Sequence, residues 1–237
     1  MNDILNKKTK FLDLGLIDYK QAWDYQTNLF QAILDVKATN RNQSDNQLPT
    51  NNYLLFCEHP NVYTLGKSGD ERNLLIRKED LPSIDATYYH INRGGDITYH
   101  GPGQLVVYPV LDLENFFTDI HQYMRLLEET VIQTLAEFDI AAGRMAGMTG
   151  VWLDAGLATA RKICALGVKT SRWVTLHGLA FNVNTNLDYF KYIVPCGIAD
   201  KAVTSMEREL GEPQDLNAIK SILKNKLSAH FGMEIIN

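Results

Sequence analysis

The sequence predicts an α+β fold in which a mixed, largely antiparallel sheet is flanked by helices. Apolar patterning gives the order helix, several strands, helix, several strands, helix, without the strict strand–helix alternation of a doubly wound sheet. The chain has 237 residues, 45% of them hydrophobic and 22% charged, which is enough to bury a core without disulfides. No segment repeats at a fixed period, so a solenoid or repeat array is excluded.

The first predicted element is an amphipathic helix over residues 18–37. Asp18 and Gln21 form a plausible capping pair at its start. Its apolar positions recur at helical spacing and are Ala22, Trp23, Leu29, Phe30, Ile33 and Leu34. Residues 39–52 are polar and show no period, which predicts a mobile surface loop.

A set of short strands with two glycine-rich loops is predicted next. Residues 53–57, 62–65 and 88–92 have strand character, and residues 66–72 and 93–104 are expected to be loops. Residues 105–111 indicate a buried strand. Pro109 in this strand has no N–H to donate, which points to an edge or a bulge.

The second half of the chain contains two more helices around a second group of strands. Residues 119–138 place Tyr123, Leu127, Val131, Leu135 and Phe138 on one helix face. Strands are predicted at residues 150–153, 162–168 and 174–183. Residues 215–231 close the chain as a helix with Asp215 as its cap.

Charge and composition narrow the classes of function. The net charge of -5 gives no support to nucleic-acid binding, which needs a basic surface. The longest apolar run is residues 105–111, far short of the roughly 20 residues of a membrane-spanning helix. The first residues do not resemble a signal peptide. We therefore expect a cytoplasmic protein without a membrane partner.

Several familiar patterns fail on inspection. Residues 65–68 end like a phosphate-binding loop, but position 61 is Asn where Gly is required. Residues 101–103 begin like a dinucleotide fingerprint, but position 106 is Val. The three cysteines, Cys57, Cys164 and Cys196, are widely spaced and predict neither a disulfide framework nor a metal site. We expect no metal and no cofactor.

Two motifs indicate chemistry or binding. Residues 93–104 contain four glycines, a composition typical of a ligand-binding loop, although a structural hairpin loop would also fit. Cys196 lies between Pro195 and Gly197, which predicts an accessible turn. If residues 199–209 formed a helix, its positive end would favour the Cys196 thiolate. An inert, packed cysteine is the alternative.

Two further positions carry open alternatives. Lys162 begins an apolar run, where partial desolvation would favour the neutral amine and make it usable as a base. The alternative, which the residue context alone favours, is a strand-end lysine whose ammonium reaches water. Gly178 and Ala180 share one strand face and leave either a ligand groove or room for tight packing. Cys164 lies within an apolar strand and is expected in the core.

Four motifs in order make the sequence resemble the lipoyl(octanoyl) transferases of the biotin/lipoate protein ligase superfamily. The family pattern R-G-G-x-x-T-Y-H-G-P-G-Q corresponds to residues 93–104, and K-I-x-A-x-G to residues 162–167. H-G-x-A-x-N corresponds to residues 177–182, and P-C-G to residues 195–197. The likeness extends over about residues 11–206 and implies one catalytic domain spanning residues 1–237 with the fold of that superfamily.

The resemblance implies a reaction and its partners. Members of this family move an octanoyl group from octanoyl-acyl carrier protein to a lysine of lipoyl domains. The acceptors implied are the E2 subunits of 2-oxoacid dehydrogenases and the glycine cleavage H protein. The enzyme would act as a monomer and without ATP.

The resemblance also implies roles for matched residues. Cys196 would be the nucleophile that carries the acyl group as a thioester, and Lys162 the acid/base partner that favours its thiolate. The substrate-binding residues implied are Arg93, Gly94, Gly95, Asp96, Ile97, Thr98, Tyr99, His100, Ala165, Leu166, Gly167, Gly178, Leu179 and Ala180. Tyr99, Leu179 and Phe181 are candidates to line an acyl tunnel. Cys164 departs from the pattern, which has a small residue there.

Three alternatives remain at the level of sequence. An ATP-dependent lipoate or octanoate ligase of the same superfamily would need no nucleophilic cysteine. An amidotransferase between two lipoyl domains would use the same cysteine with another donor. A non-catalytic module that binds acyl groups or carriers would bind without turnover.

Overall fold

The computed structural model describes residues 5–42, 47–194 and 202–236. Over these ranges the strands, in chain order, are β1 (Lys8–Leu16), β2 (Asn52–Glu58), β3 (Val62–Leu65), β4 (Thr87–His90), β5 (Ile97–His100), β6 (Gln104–Val110), β7 (Gly143–Met145), β8 (Met148–Leu153), β9 (Arg161–Ser171), β10 (Val174–Asn182), β11 (Ala202–Val203) and β12 (Glu234–Ile236). The helices are α1 (Tyr19–Asn42), α2 (Ile120–Ala136), α3 (Met206–Leu210) and α4 (Leu216–Phe231).

The main sheet has the order β12-β1-β2-β6-β10-β9-β8-β7, with β11 added to β9. The central pairs from β2 to β7 are antiparallel, whereas β12, β2 and β11 run parallel to their partners β1 and β9. A second sheet has the order β4-β3-β5. The predicted α+β class with a mixed, largely antiparallel sheet is confirmed.

Helices cover both faces of the main sheet. The apolar positions of α1 pack with Val106, Val174 and Ala180 on one face. Helices α2 and α4 pack with Phe56, Val107 and Phe181 on the other. Both α2 and α4 begin at capping aspartates, Asp119 and Asp215, whose side chains accept first-turn N–H groups. No helix in the described ranges is long and apolar enough to cross a membrane.

Helix α1 extends further than predicted, because its last turn is held by polar contacts. Buried Lys37 pairs with Asp112 at 2.5 Å and with Glu114 at 2.7 Å. Asn40 exchanges two hydrogen bonds of 2.8 Å with the Leu48 backbone. Residues 39–42, which were predicted to belong to the loop, are therefore helical. Their polar composition gave no sign of a helix.

Two other predictions need correction. The loop predicted over residues 93–104 contains β5, which pairs with β3. Of the possible helix over residues 199–209, residues 199–201 lie outside the described residues, residues 202–203 form strand β11, and helix α3 begins at Met206 after the capping Ser205. Because Cys196 lies ten residues before that start, α3 gives no basis for the predicted helix-dipole effect.

Pro109 lies in the central strand β6 and not at an edge. Opposite it on β10, His177 has a positive φ of 64°. The His177 N–H donates to Gln26 Oε1 at 3.0 Å instead of to β6. Pro109, which has no N–H to donate, therefore lies where the hydrogen bonding between β6 and β10 is interrupted. This agrees with the predicted irregularity.

Candidate active site

Two adjoining cavities lie between the glycine-rich loop and the sheet. The larger has a volume of about 610 Å³ and is bounded by residues 93–98, Lys162 and residues 165–168. The smaller has a volume of about 20 Å³. Both are lined by Arg93, Thr98, Ala165, Leu166, Gly167 and Ala180. These shared walls place the two cavities side by side.

Most of the predicted substrate-binding residues line these cavities. Arg93, Gly94, Gly95, Asp96, Ile97 and Thr98 line the large cavity, as do Ala165, Leu166, Gly167 and Ala180. His100, Gly178 and Leu179 line the small one.

Tyr99 and Phe181, predicted to lie at the ligand, line neither cavity. Tyr99 belongs to the core of the second sheet, where its hydroxyl donates to Asn61 at 2.8 Å and its ring stacks on Tyr189. Phe181 points to the face covered by α2 and α4. Strand alternation turns both side chains away from the cavities.

Arg93 organises the glycine-rich loop through main-chain carbonyls. Its guanidinium donates to the Gly94 oxygen at 2.9 Å, the Asp96 oxygen at 2.8 Å and the Thr64 oxygen at 3.2 Å. The Gly94 N–H donates to the Val168 oxygen at 3.0 Å. These bonds hold the loop directly over β9, where it forms part of the cavity wall.

Gly167 allows this close approach. A Cβ atom at this position would lie 2.6 Å from Arg93 Nη1 and 2.7 Å from the Gly94 oxygen. Real Cβ atoms do not come so near to other heavy atoms, so any side chain would displace the loop. The close approach of loop and strand explains the glycine.

Gly178 is explained by packing instead of by a groove. A Cβ there would lie 2.1 Å from the Val107 oxygen on the neighbouring strand β6. Ala180, in contrast, lines both cavities. The sequence left two explanations for the small residues at 178 and 180. Tight packing explains Gly178, and a ligand groove explains Ala180.

A bulge brings Lys162 to the cavity. Val151 pairs with Cys164 but Trp152 pairs with Lys162, so Ile163 is an extra residue in β9. In a regular strand, side chains three residues apart point to opposite faces of the sheet. The extra residue places Lys162 on the same face as Ala165. The ammonium lies 4.6 Å from the centroid of the buried Trp152 ring, a distance typical of cation–π contact.

Cys196 lies outside the described residues, as do Pro195 and Gly197. On one side, the Val194 N–H donates to the Asn73 oxygen at 2.8 Å. On the other, Val203 of β11 pairs with Lys162 and lines the large cavity. Val203 therefore belongs to the cavity wall, and Val194 is connected to it through Asn73, whose side chain donates to Asp96 at 2.5 Å.

Three buried histidines lie at or near the small cavity as neutral rings: His100 and His177 line it, and the His59 ring lies 5.9 Å from the His100 ring, centroid to centroid. Burial lowers the pKa of His59 to about 4, and burial lowers the pKa of His100 and His177 to about 3. His100 Nδ1 donates to Gln104 Oε1 at 2.8 Å, and His177 Nε2 donates to Asn92 Oδ1 at 3.1 Å. The histidines therefore contribute polarity without charge near neutral pH.

The two described cysteines are both core residues. Cys57 and Cys164 are fully buried, and burial raises the pKa of each thiol. The prediction that Cys164 belongs to the core is confirmed. A protonated, inaccessible thiol is a poor nucleophile.

Several cavity residues were not predicted from the sequence. Met124 comes from α2, Met148 from β8 and Phe190 from a short 3₁₀ helix, Leu187–Tyr192. Gln104 and Asn182 line the floor and share a hydrogen bond of 2.9 Å. The two methionines and Phe190 stand outside the motifs, so only the fold reveals them.

The fold and its cavity define an α+β catalytic domain of the lipoate-protein ligase type. A crystal structure of lipoate-protein ligase A bound with ATP superimposes with a TM-score of 0.72. The match covers 97% of this chain and 90% of that one at 14% identity, which shows a common fold. The chain belongs to the lipoyl protein ligase A/B catalytic domain family, whose sequence profile matches residues 18–228.

Closer relatives carry a more specific name. The octanoyltransferase of Cytophaga hutchinsonii is 57% identical over 100% of this chain and 98% of its own length. The octanoyltransferase of Flavobacterium johnsoniae is 58% identical over 98% of this chain and 100% of its own length.

Proposed function

We propose that the chain is an octanoyltransferase that moves the acyl group through a thioester on Cys196, with Lys162 as acid and base. The relatives of matching length and 57–58% identity support octanoyl transfer for protein lipoylation. One observation carries the mechanism: Lys162 lines the large cavity and pairs with Val203, seven residues after Cys196.

The first half-reaction exchanges one thioester for another. Lys162 accepts the Cys196 proton, and the thiolate sulfur attacks the carbonyl carbon of the donor thioester. The C–S bond to the carrier breaks, and the carrier thiol leaves with the proton from Lys162. Because one thioester replaces another, the step needs no ATP.

The second half-reaction forms an amide. The amine of the acceptor lysine attacks the Cys196 thioester carbonyl, Lys162 accepts the proton that the amine loses, and Cys196 departs as the leaving group. Backbone N–H groups of residues 165–167 are candidates to stabilise the oxyanion.

The large cavity suits an acyl chain. Its volume of about 610 Å³ exceeds that of an octanoyl group, and Met124, Met148, Leu166 and Phe190 supply apolar surface. Burying about six methylenes contributes roughly 5 kcal/mol of gross binding free energy at about 0.8 kcal/mol each.

The proposal includes the partners and setting of the reaction. The donor is octanoyl-acyl carrier protein, and the acceptors are lipoyl domains of 2-oxoacid dehydrogenase E2 subunits and the glycine cleavage H protein. The chain acts in the cytoplasm as one catalytic domain and a monomer, without metal, cofactor, nucleic acid or membrane. The charge of -5 gives no support to nucleic-acid binding, and the family match over residues 18–228 supports a single catalytic domain.

A labelling experiment tests the thioester. Incubation with octanoyl-carrier protein and no acceptor should add one octanoyl group that hydroxylamine removes. Cys196→Ser should abolish a hydroxylamine-labile label, whereas Cys164→Ala, which removes a buried thiol, should retain it. Full labile labelling of Cys196→Ser would refute the thioester on Cys196.

The same assay separates the rival activities. A requirement for ATP with free octanoate would identify a ligase, and transfer from an octanoylated lipoyl domain in place of the carrier protein would identify an amidotransferase. Tight binding without turnover would identify a binding module.

A further inference from the structure

Glu128 is a fully buried carboxylate that takes no part in the proposed reaction. It lies in α2, and none of its side chain is exposed. Its Oε2 pairs with Arg125 at 2.9 Å and with Arg144 at 3.0 Å, and its Oε1 accepts the Gly150 N–H at 3.0 Å. Burying a carboxylate is costly unless it is paired and hydrogen-bonded, so these three contacts are what allow one here.

These contacts attach both strands of the β7–β8 hairpin to α2. Arg144 lies in β7, and its guanidinium also donates to Glu129 at 2.7 Å. Gly150 lies in β8 and donates its N–H to the Glu128 side chain. Between these two positions, residues 147–149 line the large cavity. Glu128 therefore anchors one wall of the proposed acyl site to α2.

Gly150 is also the point at which this wall approaches Lys162. A Cβ atom at residue 150 would lie 2.7 Å from the Cys164 oxygen and 3.3 Å from Lys162 Cε, so the lysine stem passes close to the Gly150 backbone. The Lys162 ammonium lies 4.6 Å from the ring centroid of Trp152, two residues further along β8. Residues 150–152 thus contact both the stem and the charged end of the lysine.

We propose that Glu128 is a positioning residue, which holds Gly150 in place and thereby fixes where the Lys162 amine lies in the large cavity. Proton transfer needs donor and acceptor within hydrogen-bond reach, so a small displacement of the amine lowers the rate. This inference rests on the proposed acyl transfer with Lys162 as acid and base, and it adds the residue that positions this lysine.

Two substitutions separate the hydrogen bond to Gly150 from the charge. Glu128→Asp keeps the charge for the two arginines but is one methylene shorter, which draws its oxygens away from Gly150. Glu128→Gln loses the charge but keeps an oxygen of the same reach. The two variants therefore give opposite results according to whether the bond or the charge matters.

The measurement is the rate constant for acylation of Cys196 in a single turnover with saturating octanoyl-carrier protein. A first-order rate constant does not depend on the fraction of folded enzyme, so partial loss of stability does not obscure it. Glu128→Asp should lower it about tenfold at pH 7, and Glu128→Gln should stay within about threefold of wild type.

Glu129→Asp is the matched control. It makes the same change at the next position of α2, in a carboxylate that also pairs with Arg144, and it leaves the hydrogen bond between Glu128 and Gly150 in place. Its rate constant should equal that of wild type.

A double-mutant cycle tests whether Glu128 acts through Lys162. Lys162→Met removes the amine, so adding Glu128→Asp to this variant should slow acylation no further. The pH gives a second readout, because a free thiol ionises without a base near about pH 8.5. The deficit of Glu128→Asp should therefore fall to about threefold or less at pH 9.5, whereas a purely structural defect would be equal at both pH values.

The outcomes separate this inference from the proposed function. The positioning role would be overturned by a wild-type rate for Glu128→Asp, an equally slow Glu128→Gln, an unchanged deficit at pH 9.5 or a further loss in the Lys162→Met background, and acyl transfer would stand. Acylation of Lys162→Met at the wild-type rate would overturn Lys162 as acid and base, and the inference with it.

Discussion

Gly167 shows how a single residue without a side chain can determine the shape of a site. The Arg93 side chain and the Gly94 carbonyl occupy the space that a Cβ would take. The loop over residues 93–98 therefore forms a wall of the large cavity only while residue 167 remains glycine.

Gly167→Ala should displace this loop and lower octanoyl transfer at least tenfold. The new methyl group would overlap with main-chain and guanidinium atoms, and such overpacking costs about 1–3 kcal/mol. The measurements are transfer kinetics and urea unfolding on the same preparation.

Gly143→Ala is the matched control for that substitution. Gly143 also lies in a strand, β7, but nothing lies within 4 Å of a Cβ at that position. Equal activities of the two variants would show that the contact of Gly167 with the loop is dispensable.

At the scale of elements, strand β11 is the feature that connects the segment after Cys196 to Lys162. The Thr204 N–H donates to the Lys162 oxygen at 2.9 Å. Arg161 holds Glu209 of α3 through two bonds of 2.7 and 2.5 Å, and Thr204 Oγ1 donates to the same carboxylate. The Arg161 guanidinium lowers the pKa of Glu209, so the pair remains charged.

Glu209→Gln should loosen β11 from β9. Loss of a two-bond charged contact is worth about 1 kcal/mol at a partly exposed site, which corresponds to roughly fivefold faster amide exchange at Thr204. Glu207→Gln removes the same charge from the same helix, and Glu207 forms no ion pair in the described ranges. Equal exchange in both variants would contradict a role for the Arg161–Glu209 pair.

The elements that could be predicted are those with their own apolar pattern. The strand at residues 62–65 is a short apolar run, and helices α2 and α4 each show apolar residues at helical spacing. Strands β11 and β12 have two and three residues, too few to show a period, and exist because they pair with β9 and β1. Strand β1 buries only Thr9 fully, so its sequence lacks a clear apolar face.

The candidate site divides in the same way. Its glycines and Lys162 stand in motifs that the sequence displays. Two placements could not be predicted, because they depend on pairing across strands. The bulge at Ile163 brings Lys162 to the face of Ala165, and the register of β5 turns Tyr99 away from the cavity.

At the scale of the whole molecule, three neutral histidines lie in the region where the two sheets and α1 meet. Tyr19 of α1 contacts the His59 and His100 rings, with centroids 5.1 and 5.8 Å away. The His177 main-chain N–H donates to the Gln26 side-chain oxygen of α1. Protonation of any of these rings would place an unsolvated charge in this junction.

The buried histidines predict that the fold loses stability in mild acid. Below pH 6.5 the unfolded chain binds protons at these rings, while the folded pKa values are about 4 for His59 and about 3 for His100 and His177. Their contribution is fully present above pH 6.5 and falls as the pH decreases towards 4. Each ring contributes up to about 1.4 kcal/mol per pH unit to the slope.

Urea unfolding of wild type and His100→Gln at pH 7.5, 6.5, 5.5 and 4.5 measures this slope. The variant should lose up to about 1.4 kcal/mol per pH unit of the acid dependence below pH 6.5, whatever its stability at pH 7.5. His121→Gln, at an exposed position in α2, should retain the wild-type slope. If His100→Gln also retained it, the His100 ring would have the same pKa in the folded and the unfolded protein, and the neutral junction between the sheets would be refuted.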